Sequence, residues 1–329
     1  MRINSVKAAI RRPAPQDGML LVYKPGGMTS KDVSRWFQQR FGKIKMGHVG
    51  TLDPLAEGLL PLLFGKATRL QDFILSGVKC YEFDVAFGVA TDTLDADGQV
   101  VAHAAKDHIT HEGLEEACRG MQGDFLQVPP LYSAIKFQGK PLYEYARQGL
   151  AEQVPLQLLR KTVRLYELTC LHYGGGIGRF RVVCSKGTYV RVIATQLAER
   201  VSSLGMITRL LRVSSGELQA SSAYSLEQIE ARLDAIDSFV IPLHAIKLDI
   251  PTWQTLDVRL VERLKMGQEM HVEMKCFEGG LATDGVRRAT IRSLDHVVLI
   301  DNNGRSFGIG SAIVLNTGRI AVRMRRGLS

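Results

Sequence analysis

The chain has 329 residues, 45% hydrophobic and 23% charged, enough for a sizeable core and for two domains. It holds no apolar run of the roughly 18 residues that a membrane helix needs. Its basic start, MRINSVKAAIRRPAPQDG, lacks the apolar stretch of a secretory signal and reads as a flexible arm over residues 1–17. The net charge of +9 suits a polyanion such as nucleic acid, although many basic proteins never touch one. The excess is spread, since residues 249–329 carry 12 Lys/Arg against 9 Asp/Glu. Cys80, Cys118, Cys170, Cys184 and Cys276 are odd in number and widely spaced, which fits reduced thiols in a cytoplasm better than zinc.

Along the chain, GMLLVYKPGG (18–27) predicts a short strand closed by Pro and Gly. SKDVSRWFQQRFG (30–42) predicts a helix with Ser30 as N-cap and Val33, Trp36 and Phe37 at helical spacing. LLPLLFG (59–65) reads as a buried strand and KATRLQDFILSG (66–77) as a helix. In KCYEFDVAFG (79–88), Tyr81, Phe83, Val85 and Phe87 alternate with Glu82 and Asp84, the period of a half-buried strand. TDTLDADGQ (91–99) is an acidic loop. HEGLEEACRGMQG (111–123) sets Leu114, Ala117, Cys118 and Met121 on one helical face. Residues 125–149 keep no clean period and read as a long exposed excursion ending in a short helix. Strands at 165–173 and 179–187 precede a helix at 188–205 stopped by Gly205. Ser225 and Gln228 open a further helix as a capping box, with Leu226, Ile229 and Leu233 on one face. A boundary near 248 leads into strand-like pieces at 297–301, 306–315 and 319–326. The class is α+β, without regular βαβ alternation.

Three stretches carry candidate chemistry. GHVGTLDPLAEG (47–58) holds Asp53 with His48 five residues upstream, Tyr81 opens an otherwise apolar strand, and CSKGTYVR (184–191) gathers Lys186, Tyr189 and Arg191 at a strand-to-helix junction. Each has a plainer reading. Asp before Pro serves turns and caps, Tyr81 fits a core aromatic, and His48 fits an ordinary polar residue. Lys186-Gly187 lacks the GxxxxGK[ST] frame of a nucleotide loop. GRSFG (304–308) matches GxSxG but leads from a turn into a strand, not from a strand into a helix. Spacing alone names no reaction.

The segment GHVGTLDPLAEGLLPLLFGKATRL (47–70) closely resembles the signature of the TruB family of pseudouridine synthases, GHxGxLDPxAxGxLxxxxGxATR. The likeness continues, in the family's order, through YEFDVAFGVATDTLDADG (81–98), VPPLYSAIKFQGKPLYEYARQG (128–149) and CSKGTYVRVIATQLAE (184–199). Together these blocks span most of residues 18–215, and the middle two resemble the stand-alone bacterial members that act at tRNA uridine 55. YKP at 23–25 departs from the family's usual Asp-Lys-Pro, with Tyr23 in the aspartate's place.

The resemblance implies a mixed, largely antiparallel sheet with flanking helices over residues 18–248, an RNA-clamping insertion at about 125–152, and a small β-rich PUA-like RNA-binding module over 249–329. It implies Asp53 as the essential carboxylate, Arg191 as its ion-pair partner and Tyr81 as the tyrosine beneath the target base. Tyr189 and Leu210 would line the uracil pocket, with Lys186 beside them and His48 near the flipped nucleotide. Lys136, Lys140, Tyr143 and Arg147 on the insertion, and the basic RMRRGLS end, are candidate RNA contacts. The implied partner is the T-arm of tRNA, the implied place the cytoplasm and the default state a monomer. No metal, nucleotide or other cofactor is called for, because the reaction is an isomerisation.

The chemistry suits these residue types. Breaking a ribose C1′–N1 bond is glycosidase-like, and glycosidases use carboxylates. Burial alone would raise the pKa of Asp53 and neutralise it, and a guanidinium opposes that. Two other readings stand beside a stand-alone tRNA synthase: a non-catalytic RNA-binding or tRNA-folding factor, and a guide-dependent synthase acting on ribosomal RNA, which the YSAIKFQGKPLYEYARQG block disfavours.

Overall fold

The computed structural model describes residues 12–75, 77–248, 250, 252–255, 257–273, 293–315 and 319–328. Cys276 and residues 1–11 of the expected arm lie outside this set. Residues 12–17 are tied down: Gln16 N donates to Asp237 Oδ1 at 2.8 Å and Leu243 N donates to Asp17 O at 3.0 Å.

β1 (Gly18–Lys24) leads into α1 (Ser30–Phe41), whose N-cap is Thr29 rather than Ser30. Thr29 Oγ1 accepts from Asp32 N at 3.0 Å and Asp32 Oδ2 accepts from Thr29 N at 2.9 Å, a reciprocal capping box. Ser30 is thereby the first helical residue, with its hydroxyl free for another task. β2 (Met46–His48) and β3 (Glu57–Phe64) flank the loop that carries Asp53. The stretch 66–77 is not one helix. It is a 3₁₀ turn, Gly65–Leu70, followed by α2 (Gln71–Leu75). Gly65 takes φ +55°, and a β-carbon there would strike Asp17 Oδ1.

β4 (Lys79–Phe87) buries Tyr81, Phe83, Val85 and Phe87, the alternation read from sequence. β5 (Val89–Thr91) and β6 (Val100–His103) pair across the acidic loop, and α3 (His111–Met121) buries its four expected residues. After β7 (Gly123–Gln127) comes the insertion, with β8 (Lys136–Phe137), β9 (Lys140–Pro141) and α4 (Leu142–Arg147). It is less exposed than its composition suggested. Leu142, Tyr145 and Val154 form a small core of its own, packed by Leu131, Ile135 and Phe137.

β10 (Lys161–Gly174) and β11 (Ile177–Cys184) are long antiparallel partners. α5 (Val190–Arg200) ends five residues before Gly205, with Ser202 at φ +55°, and Gly205 opens β12 (Gly205–Ser215) instead of closing the helix. β13 (Leu218–Gln219), β14 (Tyr224–Ser225), α6 (Leu226–Glu230) and β15 (Ile241–Pro242) follow. The Ser225–Gln228 capping box is present, but regular helix stops at Glu230 and gives way to a 3₁₀ stretch.

These strands build a mixed, largely antiparallel sheet in the order β14-β1-β3-β12-β4-β11-β10-β7, with β2 on β3, β13 on β12 and β15 on β1. β1–β14 and β3–β12 are the parallel pairs. One face packs against α1, α3, α5 and α6 through a core that includes Val33, Phe37, Phe83, Phe180, Ile193 and Ile229. A second, smaller sheet has the order β16-β18-β19-β20-β17, from β16 (Thr252–Gln254), β17 (Met270–Glu273), β18 (Ser293–Ile300), β19 (Ser306–Val314) and β20 (Arg319–Gly327), with α7 (Val258–Lys265) beside it. Val298, Ile309 and Leu328 of this unit pack on Met19, Leu21, Leu59 and Leu63. Both faces of β3 are therefore covered, which is why EGLLPLLF is apolar almost throughout rather than alternating.

The basic C-terminal end is partly spent on this contact. Arg326 Nη1 donates to Arg69 O at 2.9 Å and its guanidinium pairs with Asp72 at 3.3 Å, while Arg325 bonds Ser311.

Candidate active site

Asp53 sits in the loop between β2 and β3, and the backbone on both sides of it is fastened. Buried Ser30 Oγ accepts from Leu52 N at 2.9 Å and donates to Leu52 O at 3.3 Å. Buried Lys24 donates from Nζ to Pro54 O at 3.2 Å, Pro25 O at 2.8 Å and Met28 O at 2.6 Å. Gly27 N adds a bond to Pro54 O, and Ala56 N closes the turn on Asp53 O at 3.1 Å. The glycines and proline of this stretch make a turn, and the turn holds the carboxylate still.

Arg191, in the first turn of α5, faces it. Nη2 donates to Asp53 Oδ1 at 3.1 Å, and Nε stands 2.9 Å from Oδ2 without hydrogen-bond alignment. The same guanidinium donates to Tyr132 O and Thr93 O, each at 2.9 Å, and Nη1 lies 3.6 Å from Asp95 Oδ2. Only 4% of the Arg191 side chain is exposed, against 35% for Asp53. The arginine is thus a buried fixture, while the carboxylate keeps part of its surface open. Burial raises the Asp53 pKa above its ordinary value, Arg191 opposes this, and the second carboxylate, Asp95, reinforces it. Guanidinium pairing and burial act in opposite directions, and burial wins.

Tyr81 is buried on β4, and burial raises its pKa, so the phenol is neutral at neutral pH. The Arg212 guanidinium stands beside its hydroxyl, and the charge of Asp53 is near enough to push the tyrosine pKa further up. Leu210 shares β12 with Arg212 and pairs with Phe83 of β4. Tyr189, the residue before α5, is half-buried, and Asp53 also lies within electrostatic reach of it. The His48 pKa is lowered by burial first and then by Arg212 and Lys31, which favours the neutral ring, and the ring lies 3.3 Å from Thr51 Oγ1.

Lys186 is exposed on the turn before α5. On the insertion, Lys136 and Arg147 are exposed, whereas Lys140 bonds Gln148 and lies over the Tyr145 ring. Arg147 lies over Tyr143, 5.5 Å from the ring centroid. Tyr23, in place of the usual aspartate, donates its hydroxyl to Glu57 Oε2 at 3.3 Å.

Four polar residues of this neighbourhood escaped the reading of the sequence on its own chemistry. Lys24 lay inside an expected turn, Asp95 inside an acidic loop, and Gln127 at the start of the excursion. Arg212 is buried and donates to Leu59 O at 2.7 Å and Gly50 O at 3.0 Å. It falls two residues after Leu210, so the strand period could have found it had β12 been anticipated. Among the described residues no group of three or more His, Cys, Asp or Glu is placed to hold a metal ion, and no helix is long and apolar enough to cross a membrane.

Comparison with known proteins places this geometry in context. The family model described as TruB family pseudouridylate synthase, N-terminal domain, matches residues 37–190. The tRNA pseudouridine synthase B of Geobacillus thermodenitrificans is 40% identical over 260 residues, covering 76% of this chain and 84% of that protein. That of Aromatoleum aromaticum is 35% identical over 295 residues, covering 89% and 88%. Among solved structures, an H/ACA RNP bound to a substrate RNA containing 2′-deoxyuridine superposes with a TM-score of 0.68 at 18% identity, over 95% of this chain and 86% of the other. A Cbf5-Nop10-Gar1 complex gives 0.68 at 20% identity, over 95% and 85%. At these identities the solved structures speak for the fold alone.

Proposed function

The chain belongs to the TruB family of pseudouridylate synthases, and from that membership we propose that it is a tRNA pseudouridine synthase acting on uridine 55 of the TΨC loop. The observation that carries the reading is the Asp53–Arg191 pair, a partly exposed carboxylate held from both flanks and backed by a buried guanidinium. RNA binding alone requires no such arrangement.

In this reading the target uridine leaves its stack and enters the cleft beside Tyr81, Tyr189 and Leu210. The C1′–N1 bond breaks, the uracil turns, and C5 bonds to C1′. C5 gives up its proton and N1 gains one, so the sum is an isomerisation with no oxidant, nucleotide or metal. Asp53, ionised, either attacks C1′ or assists a glycal path by removing the 2′ proton. Tyr81 lies under the base and places a neutral hydroxyl near the sugar. Lys186 and His48 border the pocket, and the insertion, with Lys136, Lys140, Tyr143 and Arg147, grips the T-arm. Residues 18–248 are the catalytic domain and 249–329 a PUA-like RNA-binding module. The protein acts as a cytoplasmic monomer without guide RNA.

The test is to incubate purified protein with an unmodified tRNA transcript, free of any guide, and map pseudouridine. A single site in the TΨC loop supports the proposal. Binding without product would favour an RNA-folding role, and product only on addition of guide RNA and partner proteins would favour the guide-dependent class.

A further inference from the structure

Gln127 is the last residue of β7, at the root of the insertion, and only 2% of it is exposed. Its side-chain amide is used at both ends on one turn of chain 60 residues away. Nε2 donates to Gly187 O at 2.6 Å and Oε1 accepts from Tyr189 N at 3.0 Å. Gly187 takes φ +80°, and Tyr189 has extended backbone at the mouth of α5 with no side-chain cap. Within the turn Thr188 Oγ1 donates to Ser185 O at 2.8 Å.

A second link runs nearby. Arg191 Nη2 donates to Tyr132 O at 2.9 Å while it serves Asp53. Between the two links lie Val128, Pro129, Pro130 and Leu131. Two consecutive prolines fix φ and donate no backbone N–H, so this span is short and stiff. The root of the insertion is thus pinned twice to the segment that carries Tyr189 and Arg191.

We infer that Gln127 is a positioning residue: its amide sets the backbone of the Gly187–Tyr189 turn, and so the placement of the Tyr189 ring and the Arg191 guanidinium, when the insertion takes up RNA. This rests on the proposed reading of the cleft. The backbone of Gln127 is held separately by β10, where it pairs with Lys161, so the side chain can be changed without releasing the strand. Leucine fills the space and offers neither group. Glutamate keeps an acceptor for Tyr189 N–H but, ionised, sets a carboxylate against Gly187 O. Protonated, it regains the donor.

The test compares wild type, Gln127→Leu and Gln127→Glu, full length, in single-turnover release of tritium from C5-labelled tRNA, in tRNA affinity, and in hydrogen exchange at the Tyr189 amide. Misplacement of about 1 Å can cost on the order of 100-fold in rate. Gln127→Leu should lose at least about tenfold in single-turnover rate with affinity changed less than about threefold. Gln127→Glu should recover relative to wild type as pH falls from about 8.5 to about 6, through the range of a buried glutamate. The Tyr189 amide should be protected in wild type and exchange faster in Gln127→Leu. An unchanged rate, a loss confined to affinity, or a Tyr189 amide equally protected in all three would overturn the inference. If wild type itself forms no pseudouridine, the proposed function fails, and the amide exchange still decides whether Gln127 sets the turn.

Discussion

Ser30 and Leu52 exchange two hydrogen bonds through one buried hydroxyl, which accepts from the leucine N–H and donates to its carbonyl. The peptide so held is the one that leads into Asp53. Removing the hydroxyl leaves a buried donor without a partner, at a cost of about 1–3 kcal/mol. Ser30→Ala should lower the melting temperature modestly and reduce the single-turnover rate, with little change in RNA affinity. Equal rates for variant and wild type would show that the loop stays in place without this clamp.

Asp53 has a raised pKa in the folded chain, so its proton balance has a definite sign. The contribution of such a carboxyl to stability is fully present below its unfolded pKa of about 3.9 and is lost as pH rises through the higher folded value. At neutral pH the ionised group therefore costs stability. Asp53→Asn should melt at or above the wild-type temperature at pH 7, and the difference should shrink on acidification. Arg191 keeps Asp95 and two carbonyls in that variant, so its charge is not stranded. A marked fall in melting temperature would mean that the pair serves the fold.

The same shift sets the pH dependence of turnover. In the proposed mechanism the working form is the carboxylate, so the rate should fall on acidification at a pH above the ordinary aspartate range of about 3.9. A pH–rate profile flat down to that range would contradict a raised Asp53 pKa in the free enzyme.

Arg191 faces four groups from one planar guanidinium: the carboxylates of Asp53 and Asp95 and the carbonyls of Thr93 and Tyr132. A lysine ammonium has three donors on a flexible stem and cannot span them. Arg191→Lys should retain RNA binding and lose most activity, on the order of 100-fold. Steady-state kinetics should show the loss in kcat rather than KM.

Much of this was legible before the fold was known, and the misses have physical causes. The strand holding Tyr81 showed its period because one of its faces is polar. The turn at Asp53 showed its glycines and proline. The start of β12 is hidden in the sequence because Gly205 is equally good at ending a helix and at starting a strand; in the fold Val85 and Ala198 leave no room there for a β-carbon. In the sequence Ser30 reads as a cap because Thr29 and Ser30 are chemically alike. The choice between them depends on Asp32 bonding back to Thr29 and on Leu52, 22 residues away in sequence. Arg212 and Gln127 act through backbone carbonyls and N–H groups far along the chain, and Lys24 joins two nearby carbonyls to the distant one of Pro54; no local pattern announces such partners. Burying a lysine pushes its pKa down to about 8, a penalty that the three carbonyls around Lys24 offset only in the folded loop.

The most direct measurement of the central claim is pseudouridine formation by Asp53→Asn on an unmodified tRNA transcript, beside wild type and with folding of the variant verified. Wild type should convert one uridine in the TΨC loop, and the folded variant should convert none while still binding the tRNA. Pseudouridine at wild-type yield from Asp53→Asn would contradict the assignment of this carboxylate as the reagent.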